Sequence, residues 1–284
     1  MRTGMRHFAP RRSSMNVARV SCSNASSFVD IARFAALSDN YGFALRCRHT
    51  GEVAIVDAPE FGAIERALET RAWPPPRRAL VTHWHRDHVG AIEELREKYP
   101  EMEVVAPRKE RGKIPFVDRF VSDGDVVRVG AREARVVETP GHTAGSVCYH
   151  FVDDEVIFVG DTLFAAGCGK LFEGTPREMW DSISKILAMP DATEVYCAHE
   201  YTESNLRFAL SVDVDNEALR ERAKVVKEMR ARGEPTVPTT VGVERETNPF
   251  CRPMSRSVQR GVGMEGSTDL AAVFGAVRRA KDKF

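Results

Sequence analysis

The chain has no C-x-x-C pair, and its six cysteines (Cys22, Cys47, Cys148, Cys168, Cys197, Cys251) are scattered. That excludes a thiolate zinc site and fits no disulfide framework, so a reducing compartment is the simplest setting. Charge of one sign is not in excess, because Lys+Arg and Asp+Glu stand at 41 each. No global field therefore recruits nucleic acid or an anionic membrane. No apolar run approaches the roughly 18 residues of a membrane-spanning helix, and no period of about 20 to 50 residues recurs, which argues against repeat architectures. What remains is 284 residues, 43% hydrophobic and 29% charged, enough for one large core or for one large and one small domain.

Acidic residues are also missing from the first 29 positions, which hold five arginines (Arg2, Arg6, Arg11, Arg12, Arg19) and six serines. This is the composition of an organelle transit peptide without the apolar core of a secretory signal. The expectation is a leader over 1–29 and a mitochondrial address, ahead of plastid or cytoplasm. The competing reading is a tail ahead of a start at Met15.

Four potential metal ligands crowd the seven residues Thr-His-Trp-His-Arg-Asp-His: His83, His85, Asp87 and His88. Imidazole with carboxylate is a donor mixture that divalent transition metals prefer. Three of the 8 histidines at spacings of two and three beside an aspartate are a poor match to coincidence. The cluster follows the apolar run Ala79-Leu80-Val81, at the end of a predicted strand.

Further candidates also follow apolar runs. Strand-like segments at 31–35, 42–48 and 53–56 precede a helix over 63–70, and Pro74, Pro75 and Pro76 make a stiff connector. A helix over 91–98 and a strand over 103–106 come next, then strands at 125–129, 135–138, 146–151 and 155–159. The strand 135–138 runs into Thr-Pro-Gly-His, ending at His142. Gly160 permits a bend that would expose Asp161. A strand over 194–197 precedes His199. The alternation of strand and helix is that of a layered α/β fold, which carries its site on loops at strand ends. Beyond Tyr201 the pattern is helical, with a helix from a cap at Asp215 or Asn216 to Arg232. An extended connector is expected over 234–253, then a last helix over 267–283 capped by Ser267 or Thr268.

These residues make two adjacent sets: His83, His85, His142 and Asp161, then Asp87, His88, His199 and Asp161, with Asp161 bridging. A dinuclear centre, with ions about 3.5 to 4 Å apart, lowers the pKa of water from about 15.7 to near 7 and needs no serine or cysteine nucleophile. Zinc, iron and manganese all suit such donors.

The cluster, with Thr-Pro-Gly-His-Thr at 139–143 and Gly-Asp-Thr at 160–162, resembles the metallo-β-lactamase superfamily. The resemblance implies an α/β fold, an αββα sandwich with a C-terminal α-helical domain, the catalytic part over 30–199 and the helical part over 200–284. Within the superfamily the chain is similar to the glyoxalase II (hydroxyacylglutathione hydrolase) family from about Phe34 to Phe284. The specific stretches are Gly160-Asp161-Thr162-Leu163-Phe164, Ala166-Gly167-Cys168-Gly169-Lys170, Glu173-Gly174-Thr175, His199-Glu200-Tyr201-Thr202, Asn248-Pro249-Phe250 and 277–282. By resemblance, Lys170, Tyr201, Arg278 and Lys281 contact the glutathione half of a thioester substrate. Arg278 and Lys281, at i and i+3 on a predicted helix, share a face that can receive a glycine carboxylate.

The implied activity is hydrolysis of S-(2-hydroxyacyl)glutathione, S-D-lactoylglutathione foremost, to D-lactate and glutathione by a hydroxide of a two-metal centre. Asp87 and Asp161 act there as ligands and catalytic groups, and a monomer is expected. Phe172 stands at a substrate position where the family often has tyrosine, and Ala91 and Ala198 replace glycines common beside the ligand motifs. The alternative is a mitochondrial glutathione persulfide dioxygenase with a single iron. A nuclease would need a basic surface, of which the balanced charge gives no sign.

Overall fold

Val53–Val56 is apolar at all four positions because both of its faces are covered. Ala54 and Val56 turn into the interior between two sheets, while Val53 and Ile55 turn outward beneath helices. A strand buried on both sides reads as a continuous apolar run rather than an alternating one. The computed structural model describes residues 29–284; the expected leader, apart from Val29, lies outside them.

The first sheet has the order β1 (Val29–Ala36), β2 (Asn40–Cys47), β3 (Val53–Val56), β4 (Arg78–Leu80), β5 (Glu103–Pro107), β6 (Arg119–Val121). Its first pairs are antiparallel and β3 to β6 run parallel. The second sheet contains β7 (Val126–Val129), β8 (Arg132–Glu138), β9 (Val147–Phe151), β10 (Val156–Gly160), β13 (Glu194–Cys197) and β14 (Thr239–Thr240), in the order β14-β13-β10-β9-β8-β7. A short hairpin, β11 (Leu163–Phe164) with β12 (Gly167–Cys168), follows β10.

Helices α1 (Phe61–Thr70), α2 (Arg86–Val89) and α3 (Ile92–Lys98) belong to the first half, and α4 (Pro176–Leu187) to the second. Ile64, Leu68, Ile92 and Leu95 pack on the outer face of the first sheet. Met179, Ile183 and Ile186 of α4, at helical spacing, join the cluster built around the second. Helix, sheet, sheet, helix is the αββα order implied by the resemblance. The chain ends in helices α5 (Thr202–Val212), α6 (Glu217–Ala231), α7 (Val241–Thr247), α8 (Arg256–Gly261) and α9 (Leu270–Lys281). Phe208, Val241, Phe250, Val273, Phe274 and Val277 share one hydrophobic cluster with the second sheet, so the helical region packs onto it. No helix among the described residues is long and apolar enough to cross a membrane.

Three expectations need correction. The segment 234–253 is not an extended connector. Its prolines flank structure rather than interrupt it, and Thr240 accepts from Val243 N to start α7. The last helix is capped by Asp269, which accepts from Ala272 N, rather than by Ser267 or Thr268, and it runs only from Leu270 to Lys281. Asp161 is not exposed, since only 8% of it is accessible. Gly160 does turn the chain there, at φ +50°, but a Cβ at this position would lie 2.5 Å from Thr82 Oγ1, and the bend folds Asp161 inward.

Candidate metal centre

Four strand ends, those of β4, β8, β10 and β13, deliver the ligands to one edge of the sandwich. Thr82 to Val89 leave β4, with α2 as a single turn, and hydrogen bonds from Asp57 N to Leu80 O (3.0 Å) and from Ala58 N to His88 O (2.7 Å) fix that turn against the end of β3. Val147 N donates to Thr82 O at 3.0 Å, which ties the same loop to the second sheet. Asp161 follows β10 and His199 follows β13, a parallel pair, so both emerge at the same end. Tyr41 N donates to Ala198 O at 2.7 Å and draws the His199 loop to the first sheet.

The seven predicted ligands converge. His83, His85 and His142 form one group; His83, His88 and Asp161 a second; Asp87, His88 and His199 a third, with the ligand atoms of each group within 4.8 Å of one another. His85 Nδ1 lies 3.1 Å from His83 Nε2 and 3.0 Å from His142 Nε2. Asp161 faces both halves: Oδ2 is 3.4 Å from His142 Nε2, while Oδ1 is 3.4 Å from His88 Nε2 and 3.4 Å from His199 Nε2. Asp87 Oδ2 stands 3.3 Å from His199 Nε2 and 3.4 Å from His88 Nε2.

This donor set fits two divalent cations. His88 Nε2 and Asp161 Oδ1 are buried, point into the cluster and find no hydrogen-bond partner. Such groups are costly unless something satisfies them. A cation held by these residues would do so.

A second layer, illegible in the sequence, sets each imidazole. Thr82 Oγ1 lies 3.1 Å from His83 Nδ1, Asp57 Oδ2 2.7 Å from His88 Nδ1, Lys170 O 2.8 Å from His142 Nδ1 and Asp39 Oδ1 2.8 Å from His199 Nδ1. Each of these four rings thereby turns Nε2 inward, whereas His85 presents Nδ1. Asn40 Nδ2 donates to Asp87 Oδ2 at 2.9 Å.

The electrostatics differ between the halves. Burial, then the neighbouring histidines, push His83 well down, and burial also lowers His85 and His142, so the three-histidine side favours neutral rings ready to donate lone pairs. On the other side burial opposes the charged imidazole, but Asp161 and Asp87 outweigh it and raise His199 to about 10. Asp57 and Asp161 likewise raise His88 against burial. Asp87 and Asp161 are in turn held well below the usual carboxylate range by these imidazoles, although burial works against it. The carboxylates make this half a well for positive charge.

Comparison with known proteins bears on the whole chain. A family model described as metallo-beta-lactamase superfamily matches residues 40–199, and one described as hydroxyacylglutathione hydrolase C-terminus matches 200–284. A hydroxyacylglutathione hydrolase of Maricaulis maris (strain MCS10) is 49% identical over 254 residues, covering 89% of this chain and 98% of that protein. The chain belongs to the hydroxyacylglutathione hydrolase family of the metallo-β-lactamase superfamily. A second such hydrolase, from Chelativorans sp. (strain BNC1), is 48% identical over 90% of this chain and 99% of its own length. The crystal structure of ETHE1 from Myxococcus xanthus shares the fold at a TM-score of 0.62 and 23% identity, over 88% of this chain and 89% of that one.

In this family member three of the predicted substrate residues, Phe172, Lys170 and Tyr201, form a rim beside the ligand cluster. Phe172, 60% exposed, stands edge-on to His85 and His142 at 5.4 and 5.3 Å. Lys170 Nζ lies over its ring at 5.5 Å. Tyr201 stacks on His199 at 4.7 Å and 6°. The two basic residues of α9 are not equivalent. Arg278 is 7% exposed, and its guanidinium donates to Cys168 O at 3.0 Å and to Asp282 Oδ1 at 3.0 Å. Lys281 is half-buried and reaches Ser204 O at 3.4 Å, with no carboxylate among the described residues within 4.0 Å of its ammonium. Burial, then Arg278 and Arg207, lower its pKa.

The alanine departures are harmless to the backbone. Ala91 sits at φ −97° and Ala198 is not among the residues of positive φ, so neither position needs glycine's left-handed freedom. Five cysteines (Cys47, Cys148, Cys168, Cys197, Cys251) are free and buried.

Proposed function

We propose that the chain hydrolyses S-(2-hydroxyacyl)glutathione thioesters, S-D-lactoylglutathione foremost, to the hydroxy acid (D-lactate) and glutathione. The observation that carries this reading is that the two-cation ligand cluster abuts the aromatic rings of Phe172 and Tyr201, with the Lys170 ammonium over the Phe172 ring, in a chain related over nine-tenths of its length to hydroxyacylglutathione hydrolases. His83, His85 and His142 would hold one divalent ion and Asp87, His88 and His199 the other, with Asp161 between them. Two such ions acidify water to a pKa near 7 and polarise a carbonyl, which is the chemistry thioester hydrolysis asks for.

The protein's own residues do the rest. Asp87, steadied by Asn40, faces the cluster with one oxygen and is placed to orient the attacking oxygen by hydrogen bonding. The leaving thiol has a reference pKa of about 8.5, so no general acid has to protonate it. Lys170, Tyr201 and Lys281 would receive the peptide, with the Lys281 ammonium meeting the glycine carboxylate. Arg278, engaged with Cys168 O and Asp282, would hold the floor beneath them and reach the carboxylate by exchanging Asp282. Residues 30–199 then carry the chemistry and 200–284 the peptide site. All seven ligands come from one chain, which agrees with an active monomer. Zinc, iron and manganese suit the donors equally. The arginine-rich composition of 1–29 supports a mitochondrial leader, and a fluorescent fusion with and without 1–29 tests it.

The deciding experiment is metal analysis of purified protein combined with a lactoylglutathione assay. Two ions per chain with thioester loss are expected. No thioester loss in the fully loaded protein would overturn the substrate. Oxygen uptake with glutathione persulfide in its place would revive the dioxygenase, which the two ligand sets do not favour.

A further inference from the structure

Glu173 belongs neither to the ligand cluster nor to the peptide rim, yet its carboxylate joins the two segments that carry the three-histidine half. Oε1 accepts from Trp84 Nε1 at 3.1 Å, and Trp84 lies between His83 and His85. Oε2 accepts from Ala144 N at 2.8 Å, two residues beyond His142. Lys113 Nζ bonds both oxygens, at 3.0 and 3.3 Å, and rests 5.0 Å over the Trp84 ring. The same ammonium stands 3.2 Å from Glu110 Oε2. Glu110 is fully buried and accepts from Thr143 Oγ1 at 2.7 Å and Gly145 N at 3.0 Å, so it grips the other side of the His142 loop.

The main chain around Glu173 holds that loop as well. Phe172 N donates to His142 O at 3.2 Å and Gly174 N to Gly141 O at 3.1 Å. The approach is so close that a Cβ at 174 would lie 2.5 Å from Gly141 Cα. The bond from Ala144 N, with Lys113 and Trp84 adding to it, keeps the Glu173 carboxyl below its usual range although burial opposes.

We propose that Glu173, clamped by Lys113, is a positioning residue that sets the spacing between the His83–His85 segment and the His142 loop. It thereby sets the affinity of the three-histidine half of the metal centre. The proposal rests on the reading of the cluster as a two-metal centre. A ligand set must be held within about 0.5 Å to bind well, and Glu173 is the side chain seen to bond the neighbours of both segments. It touches no neighbour of Asp87, His88 or His199, which Asn40, Asp57 and Asp39 hold instead. Its removal should therefore act on one ion and spare the other. The Lys113 pair is partly exposed and contributes little energy by itself; its role is to hold the carboxylate between the indole and the amide.

The test titrates Glu173→Gln, Glu173→Ala, Lys113→Met and Trp84→Phe against a chromophoric chelator, with cobalt(II) as the probe metal. For Glu173→Ala, one of two equivalents should weaken roughly 10- to 100-fold, the range for loss of an outer partner. The other should stay within about 3-fold, and the visible spectrum of the weakened equivalent should change. Glu173→Gln should fall between Ala and wild type, because its amide can still accept from Trp84 but must turn a donor toward Ala144 N–H or Lys113. Two unchanged affinities in Glu173→Ala would overturn the proposal, as would an equal loss of both ions in all four variants. If Glu173→Ala does not fold, the milder Lys113→Met and Trp84→Phe carry the same one-ion expectation and decide it. Wild-type protein that binds two ions but leaves thioesters intact would sink the substrate reading and not this one. Wild-type protein that binds fewer than two would sink both.

Discussion

Asp57 shows how much of this centre depends on residues that meet no metal. It is buried at 4% exposure, stands at φ +58°, and accepts from Thr82 N (2.8 Å), Thr82 Oγ1 (2.9 Å) and His88 Nδ1 (2.7 Å). Asparagine tolerates that backbone, but its NH2 must face one of those donors. Asp57→Asn should lower metal affinity by about 10- to 100-fold through misoriented His88, and chelator competition would read it; unchanged affinity would show that the Thr82 and His83 side alone orders the site. Phe172 offers the opposite experiment, a gain. Its ring already lies against His85 and His142, and Phe172→Tyr places a hydroxyl at the exposed edge. One added hydrogen bond is worth about 0.5 to 1.5 kcal/mol, or roughly 2- to 12-fold. KM for lactoylglutathione should drop by that factor with kcat nearly constant, and a KM that stays or rises would mean that the substrate passes elsewhere.

At the scale of elements, α4 carries the sequence's clearest start signal, and the sequence reading passes over it. Thr175 accepts from Glu178 N, Glu178 reaches back to Thr175 N at 2.8 Å, and Pro176 opens the helix. This is a capping box with proline at the first turn. Thr175→Ala should cost about 1 kcal/mol, lowering Tm by roughly 2–4 °C for a chain of this size, and leave bound metal unchanged; a drop in metal content would show that α4 itself sets the Gly141–His142 loop. The box is legible as Thr-Pro-Arg-Glu, and its first residue, Thr175, also ends the family stretch Glu173-Gly174-Thr175. Most strands and α1, α3 and α6 are legible because burial on one face imposes a period of 2 or 3.6 and burial on both faces a continuous apolar run, whereas β6, β11, β12 and β14, two or three residues each, are too short to show either. All seven ligands are legible because each follows an apolar run. The connector expected over 234–253 fails for a physical reason. Four prolines there suggest a chain that cannot coil, yet Pro238 and Pro249 stand on either side of α7, whose start depends on one side-chain bond from Thr240. Asp39, Asn40, Asp57, Glu110 and Lys113 stayed illegible because their partners lie far away in sequence, and only the closed sandwich brings them to the histidines.

For the whole molecule, burial and charge pull in opposite directions at one place. The hydrophobic cluster runs from the first sheet through the second and into Phe250, Phe274 and Val277 of the helical region, so catalytic and helical parts should unfold together. Yet the edge of this core holds Asp161, His83, His88 and His142 at 8% exposure or less, with His88 Nε2 and Asp161 Oδ1 unsatisfied. Desolvating such groups is expensive unless a counter-charge joins them. Cations bound by the folded chain alone stabilise it by mass action, about 2.7 kcal/mol for each ion held at 100 times its dissociation constant. At roughly 2–4 °C per kcal/mol, dialysis against a chelator should lower Tm by about 5–10 °C per ion, and returning zinc or manganese should restore it. The loss should appear as one shifted transition, because the shared core leaves the helical region no separate melting. A second, metal-independent transition would show that residues 200–284 fold on their own, and an unchanged Tm would mean that the buried carboxylates are satisfied without metal.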